Sequence, residues 1–233
     1  MTWDVFALRF GENLRRFRYQ HFMGIDADPH DGQHPIVFYL WAARRADGRT
    51  LVVDTGFDGP RAAARGHTLL LEPEMALARV GIDAAQVSDV IVSHFHWDHA
   101  GGAEKFPNAR FHIQAAEMAY ATGPCMCFPH LRRPFACEDV THLVKSLYAD
   151  RVVFHDGDAE ILPGVRLKKF GGHSAGLMGA CIDTAAGQVV LASDAIHFYE
   201  TMEGKPFPIV HDMPAALAAH AWLRAARDSG AVV

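Results

Sequence analysis

Residues 89–102 read Asp-Val-Ile-Val-Ser-His-Phe-His-Trp-Asp-His-Ala-Gly-Gly, and this stretch constrains the fold more than any other. Three histidines and an aspartate, His94, His96, Asp98 and His99, fall within six residues. The run before them is short, apolar and β-branched, the pattern of a buried strand. The glycine pair after them marks a turn. The four side chains are therefore expected on a loop at the C-terminal end of a strand, where α/β folds place their chemistry. Imidazole and carboxylate together suit zinc, iron or manganese. His94 and His96 are two residues apart, so both can reach one metal. Asp98 and His99 are adjacent and diverge, so they can reach a second. A histidine cluster without a metal is the weaker reading, because burying so many titratable groups without a cation is costly.

Length and composition fit that picture. A chain of 233 residues, half of them hydrophobic, suits one globular domain with a sizeable core, spanning residues 1–233. The formal net charge is −5 and no long basic stretch occurs, so no nucleic-acid partner is expected. No apolar run approaches the roughly 20 residues needed to span a bilayer, so no membrane association is expected. Residues 1–6 carry an early acid and no apolar core, unlike an export signal. Cys125, Cys127, Cys137 and Cys181 are accordingly expected as reduced thiols in the cytoplasm. Zinc binding by Cys125, Cys127 and Cys137 is an alternative, but structural sites usually space paired cysteines further apart.

Taken in order, the chain alternates strands and helices. Strands are expected over residues 5–10, 35–43, 50–53, 89–92, 110–114, 165–170, 179–183 and 188–192. Residues 13–21 are basic and aromatic (Arg15, Arg16, Arg18, Tyr19, His21) and read as a solvated hairpin or as a substrate-facing loop. Residues 26–34 read as a loop whose His30 and His34 could line a site's mouth. Helices are expected over 72–80, 115–121 and 139–148. Residues 122–138 read as a loop over the active site. Asp156-Gly157-Asp158 reads as a hairpin turn between strands at 152–154 and 159–162. A final helix opens at Asp212 and Pro214 and closes at Gly230, with Leu217, Ala221, Trp222 and Ala225 as its buried face. Residues 231–233 begin another strand. Strands with helices outside them give an α/β (α+β) expectation, a four-layer αββα sandwich.

His94-x-His96-x-Asp98-His99 resembles the signature of the metallo-β-lactamase superfamily. Gly172-His173-Ser174, Ala192-Ser193-Asp194-Ala195 and Asp54-Thr55-Gly56 are similar to three further elements of that family, in the same order. The resemblance implies a first metal on His94, His96 and His173, a second on Asp98 and His99, and Asp194 bridging them. Asp54 is implied to orient a ligand histidine. Two zinc ions are implied, with iron or manganese as alternatives. A shared hydroxide between the metals would attack a lactone, ester, thioester or amide carbonyl, and Asp98 would orient it or pass on its proton. A small-molecule substrate is implied, and a homodimer is an open assembly.

Departures narrow the group. Class B β-lactamases carry Cys or His at the position of Asp194, flavodiiron proteins carry Glu at that of His96, and glyoxalase II proteins add a glutathione-binding helical region. The chain is most similar to the N-acyl homoserine lactonase group. A glyoxalase II-like thioester hydrolase and an iron-dependent dioxygenase are the alternatives. Where those lactonases place a Tyr three residues after the bridging Asp, this chain has His197, which is implied to act on the substrate carbonyl; Tyr199 is close by in sequence. The family's seventh ligand, a His beyond the last strand, has no counterpart before Val233. His211 and His220 are poor stand-ins. The expectation is a weak second site in a chain whose C-terminus is incomplete.

Overall fold

The computed structural model of the chain describes residues 2–23 and 32–233. Among them, eleven strands form two sheets. The strands are β1 (Trp3–Asn13), β2 (Ile36–Arg45), β3 (Thr50–Val53), β4 (Thr68–Leu69), β5 (Asp89–Ile91), β6 (Arg110–Gln114), β7 (Val152–His155), β8 (Ala159–Leu162), β9 (Val165–Lys169), β10 (Met178–Thr184) and β11 (Gly187–Leu191). The helices are α1 (Gly59–Ala64), α2 (Pro73–Ala78), α3 (Trp97–Ala100), α4 (Ala115–Thr122), α5 (Pro129–Arg132), α6 (Cys137–Tyr148), α7 (Tyr199–Met202) and α8 (Met213–Asp228). The seven-stranded sheet runs β4-β1-β2-β3-β5-β6-β7 and the four-stranded sheet β11-β10-β9-β8. From β3 to β7 the pairing is parallel.

The layering follows from which face each residue presents. In β3 and β5, Val52 and Val90, with Val92 just after β5, pack on one side with Leu77, Phe106 and Leu143, under α2 and α6. Leu51, Val53 and Ile91 point the other way and meet Leu167, Met178, Ala180 and Ile182 of the second sheet. Leu177, Cys181 and Val190 on the outer face of that sheet meet Ala219 and Leu223 of α8. Strands buried on both faces read as continuous apolar runs. The result is the expected αββα order of four layers.

Several expectations are corrected. Asp156-Gly157-Asp158 does not close a hairpin: β7 pairs with β6 and β8 with β9, so this turn carries the chain from one sheet to the other. Gln114 fixes it by accepting from Gly157 N at 3.0 Å and donating to Gly157 O at 2.8 Å, and Asp158 accepts from Lys169 N at 2.8 Å. Residues 122–138 are not a structureless loop. Pro124 and Pro129 each open a short helical turn, where a missing N–H is harmless. The segment nonetheless lies against the motif loop, with Trp97 N donating to Pro134 O at 3.0 Å. Residues 13–21 do not form a hairpin, since Arg18–Gln20 make a short helical turn; Arg15 and Tyr19 are exposed, as a solvated segment would have them, and only His21 is buried.

In α8, Asp212 caps the N-terminus by accepting from Ala215 N. Its buried face is Ala216, Ala219, His220 and Leu223, while Leu217, Ala221 and Ala225 are exposed and Trp222 is half-buried against Phe170. Small residues win because the helix packs close to backbone: a Cβ on Gly172 would lie 2.6 Å from Ala216 Cα. The strand expected at 231–233 is a bridge, Val232 beside Val189. His30 and most of the loop expected at 26–34 lie outside the described residues.

Candidate metal centre

The motif loop leaves β5 and enters the single turn of α3. Asp54, directly after β3, sets its shape. The Asp54 backbone is left-handed, with φ +64°, a conformation that Asp tolerates better than most residues. One carboxylate oxygen accepts from Ser93 N at 2.8 Å, and the other from Ser93 Oγ at 2.9 Å and His99 Nδ1 at 2.7 Å. Thr55 completes the clamp: its N–H and hydroxyl both donate to His99 O, and its Oγ1 accepts from Gly102 N. A Cβ on Gly102 would stand 2.2 Å from Thr55 O, which is why a glycine follows the motif.

Two later loops bring their residues to the same point. His173 follows Gly172, whose φ of +86° and contact with α8 exclude a side chain. Asp194 follows Ser193, another left-handed residue at φ +50°, whose hydroxyl donates to Ser93 Oγ at 2.8 Å. His94, His96, His173 and Asp194 offer donor atoms that all lie within 4.8 Å of one another, and His94, His96 and His173 are buried. His99 Nε2 lies 3.2 Å from Asp194 Oδ1 and 3.7 Å from Asp98 Oδ2. Asp98 and His99 are therefore beside the four-residue cluster, on the far side of Asp194, rather than inside it. His197 Nε2 also reaches Asp194, at 2.9 Å from Oδ2.

The donor set fits a cation. His173 Nδ1 donates to Ile209 O at 2.7 Å, which leaves the lone pair of the neutral ring on Nε2, facing inward. That Nε2 lies 2.9 Å from His96 Nδ1 and 3.2 Å from Asp194 Oδ2. His94 Nε2 is fully buried and has no hydrogen-bond partner among the described residues. An orphaned, inward-facing imidazole nitrogen among other lone pairs is costly unless a cation satisfies it.

Electrostatics divides the site in two. Burial pushes the pKa of His94 and His96 well down, and the neighbouring histidines push further, so both are poised as neutral ligands. Burial would lower His99 as well, but Asp194, Asp54 and Asp98 outweigh it and raise its pKa well above the ordinary value. Three carboxylates facing one ring call for positive charge at that point. Burial raises the pKa of Asp98. Asp194 is held far below the usual carboxylate range, because His197 and His99 overcome its burial.

The sequence reading missed Glu117. It lies in the first turn of α4 and is 1% exposed. Its carboxylate accepts from Phe95 N at 3.0 Å, Ser174 Oγ at 2.7 Å and Gly176 N at 2.8 Å. It ties the loop between His94 and His96 to the loop after His173. The available signal was an acid at a buried position of an otherwise apolar helical segment. Tyr199 is no substitute for His197. It is 64% exposed and its hydroxyl donates to Val233 O at 3.2 Å. His211 stacks near Tyr120, at 4.6 Å between ring centroids. His220 is buried, with Nε2 at 3.1 Å from Ala195 O. Cys125, Cys127, Cys137 and Cys181 are free thiols. No cysteine belongs to the metal-ligand cluster found among the described residues.

Among curated proteins the chain is similar to an N-acyl homoserine lactonase of Bacillus cereus, 31% identical over 175 residues, which is 67% of this chain and 64% of that protein. It is also similar to a lactonase of Bacillus thuringiensis, 33% identical over 134 residues, 56% of this chain and 48% of that protein. The chain thus spans less than two thirds of the length of the curated relatives it matches, 64% and 48% of these two. Among solved structures, an N-acyl homoserine lactone hydrolase with N-hexanoyl-L-homoserine bound at its catalytic metal centre superposes with a TM-score of 0.78 at 21% identity, covering 100% of this chain and 92% of that one. The family description "Metallo-beta-lactamase superfamily" matches residues 35–233. With that match across most of its length, and with His94, His96, His173 and Asp194 converging between its two sheets' loops, the chain belongs to the metallo-β-lactamase superfamily.

Proposed function

We propose that the protein is a metal-dependent hydrolase that opens a lactone or cleaves a related carboxylic ester. The observation that carries this reading is the convergence of His94, His96, His173 and Asp194, with His99 and Asp98 on the other side of Asp194. In it, His94, His96 and His173 hold a first zinc, Asp98 and His99 a second, and Asp194 lies between them. Support comes from two relatives: the hydrolase whose product lies at its metal centre, and AidC, a dizinc lactonase matched at a TM-score of 0.70 and 20% identity, over 98% of this chain and 85% of that one. The single-domain reading of residues 1–233 belongs to the same proposal, as does a cytoplasmic location, which the free thiols suit.

Bound zinc would supply a water acidified to near neutral pH and a Lewis acid for the carbonyl. The rest is done by the chain. Asp98, whose carboxyl burial raises, sits where it can take the proton of the attacking water and return it to the departing oxygen. Asp54 holds His99 with its Nδ1–H donated, so that Nε2 faces the site. His197 spends Nε2 on Asp194, which steadies that carboxylate. Its Nδ1 is buried and without a partner among the described residues, and action on the substrate carbonyl requires an N–H at that atom as well.

The test is a metal count on purified protein, followed by a hydrolysis screen of the zinc-reconstituted protein against lactones, esters, thioesters and β-lactams. Turnover of lactones or esters supports the reading. Fast thioester turnover alone moves the protein to the glyoxalase II type, and a single iron with oxygen consumption moves it to the dioxygenase type.

A further inference from the structure

Three arginines at the mouth of this site have no carboxylate partner among the described residues. Arg65 lies over Trp97, its guanidinium carbon 4.7 Å from the ring centroid, with His67 stacked on that ring at 5.3 Å. Trp97 is the motif residue between His96 and Asp98, so Arg65 is anchored to the metal-binding turn itself. Its two terminal nitrogens donate to Arg133 O at 3.3 and 3.4 Å. Arg133 in turn lines a cavity with His96, His173, Tyr120 and His211. Arg16 donates to Gln20 O at 2.9 Å, and its backbone carbonyl accepts from His34 N at 2.7 Å. Its Nε is buried and unpartnered among the described residues.

Elsewhere, Arg44, Arg151 and Arg224 are satisfied by backbone carbonyls, and other arginines meet carboxylates. Arg61 meets Asp58 and Asp139, Arg49 and Arg110 share Asp89, and Arg18 meets Glu200. Arg16, Arg65 and Arg133 make no ion pair among the described residues. Burial and the charge of Arg133 disfavour the charged forms of Arg16 and Arg65, and the charge that favours both is that of Asp98. Arg16 and Arg65 thus lie within reach of the Asp98 charge and of Arg133, which lines the cavity beside His96 and His173, in a chain whose formal net charge is −5. Divalent metal would neutralise Asp98 and leave the guanidinium groups facing added positive charge. Such a rim is satisfied by an anion arriving with the substrate, and the planar fork of arginine suits an oxyanion.

We propose that Arg16, Arg65 and Arg133 form an oxyanion-reading rim, so that the substrate carries a carboxylate or phosphate on the part remote from the bond that is cleaved. This rests on the hydrolase reading above. It departs from N-acyl homoserine lactones, which carry no ionised group.

The test compares three chromogenic esters of matched length on the zinc-reconstituted protein: one with a neutral acyl chain, one ending in carboxylate and one ending in phosphate. The expected result is a kcat/KM for one of the anionic esters about tenfold or more above the neutral one, carried by KM, and reduced at about 0.5 M salt. Which anionic ester leads identifies the group. Arg65→Gln and Arg133→Gln should each cut the anionic-to-neutral ratio by about tenfold, and the remote Arg227→Gln should leave it unchanged. Equal or better turnover of the neutral ester overturns the proposal, as does a ratio untouched by both variants. If no ester is turned over, the hydrolase reading is the one at fault. Calorimetric titration with adipate then decides the rim: binding by the wild type that is lost in Arg133→Gln upholds it, and no binding overturns it.

Discussion

Asp54 Oδ2 accepts from His99 Nδ1 at 2.7 Å, and the same oxygen accepts from Ser93 Oγ at 2.9 Å. One carboxylate therefore fixes the tautomer of one candidate ligand and the position of the residue before another. Asp54→Asn keeps the shape and tolerates the left-handed backbone, but it loses the charge and one acceptor oxygen. Affinity at the second metal site should fall about 10- to 100-fold, the usual cost of such a partner, while the three-histidine site keeps its metal. Metal analysis after graded dialysis reads this directly. Equal loss from both sites would show that Asp54 holds the loop rather than His99.

Glu117 should matter more for folding than for chemistry. Removing its carboxylate leaves three buried donors unpaired, on Phe95, Ser174 and Gly176. At about 1–3 kcal/mol for each stranded group, Glu117→Ala should lose several kcal/mol, and Glu117→Gln less. Thermal unfolding of the two variants is the check. A wild-type Tm in Glu117→Ala would mean that the brace is dispensable.

What the sequence made legible was local. The His94–His99 spacing, the strand before it and the glycine pair after it are short-range signals, and they placed the loop correctly. Glu117 was invisible because its importance lies in contacts 22 and 57 residues away. The buried face of α8 was misjudged for a related reason: hydrophobic size favours Leu217, but close approach to the Gly172 loop selects Ala216 and Ala219. The Asp156-Gly157-Asp158 turn has hairpin chemistry, yet Gln114, from a strand far earlier, directs it across to the other sheet.

Acid should unfold the protein through buried histidines. Burial is the main cause that takes His21 from an ordinary 6.5 down to about 4, with the charges of Arg16, His197 and His34 adding to it and the bond to His34 O opposing it. His67 falls to about 4 through burial and then Arg16 and Arg65. Each stays neutral in the fold and takes up a proton once unfolded. Their stabilising effect is whole above about pH 6.5 and is lost as pH falls toward 4. His67→Gln should flatten that part of a Tm-against-pH curve. An unchanged slope would assign acid sensitivity to other groups.

His197 offers a split between two roles. Its Nε2 contact with Asp194 predicts that His197→Ala loosens metal binding, whereas action on the carbonyl predicts slower chemistry with metal intact. The proposed function expects kcat to fall about 10- to 100-fold at full metal loading. Recovery of the rate simply by adding excess zinc would reduce His197 to a support for Asp194.

Metal removal should cost stability as well as activity. His94 Nε2 is buried without a partner, His173 and His96 present nitrogens to each other at 2.9 Å, and Asp54, Asp98 and Asp194 crowd His99. A cation resolves all three conflicts at once, and it does so only in the folded state. At zinc concentrations about a thousandfold above Kd, the gain is about 4 kcal/mol. Chelation should therefore lower Tm by several degrees, and added zinc should restore it. In His94→Phe, which fills the pocket without a ligand atom, the response to zinc should shrink while the unloaded protein becomes no less stable. A Tm that ignores chelator and zinc alike in the wild type would remove the metal from this site.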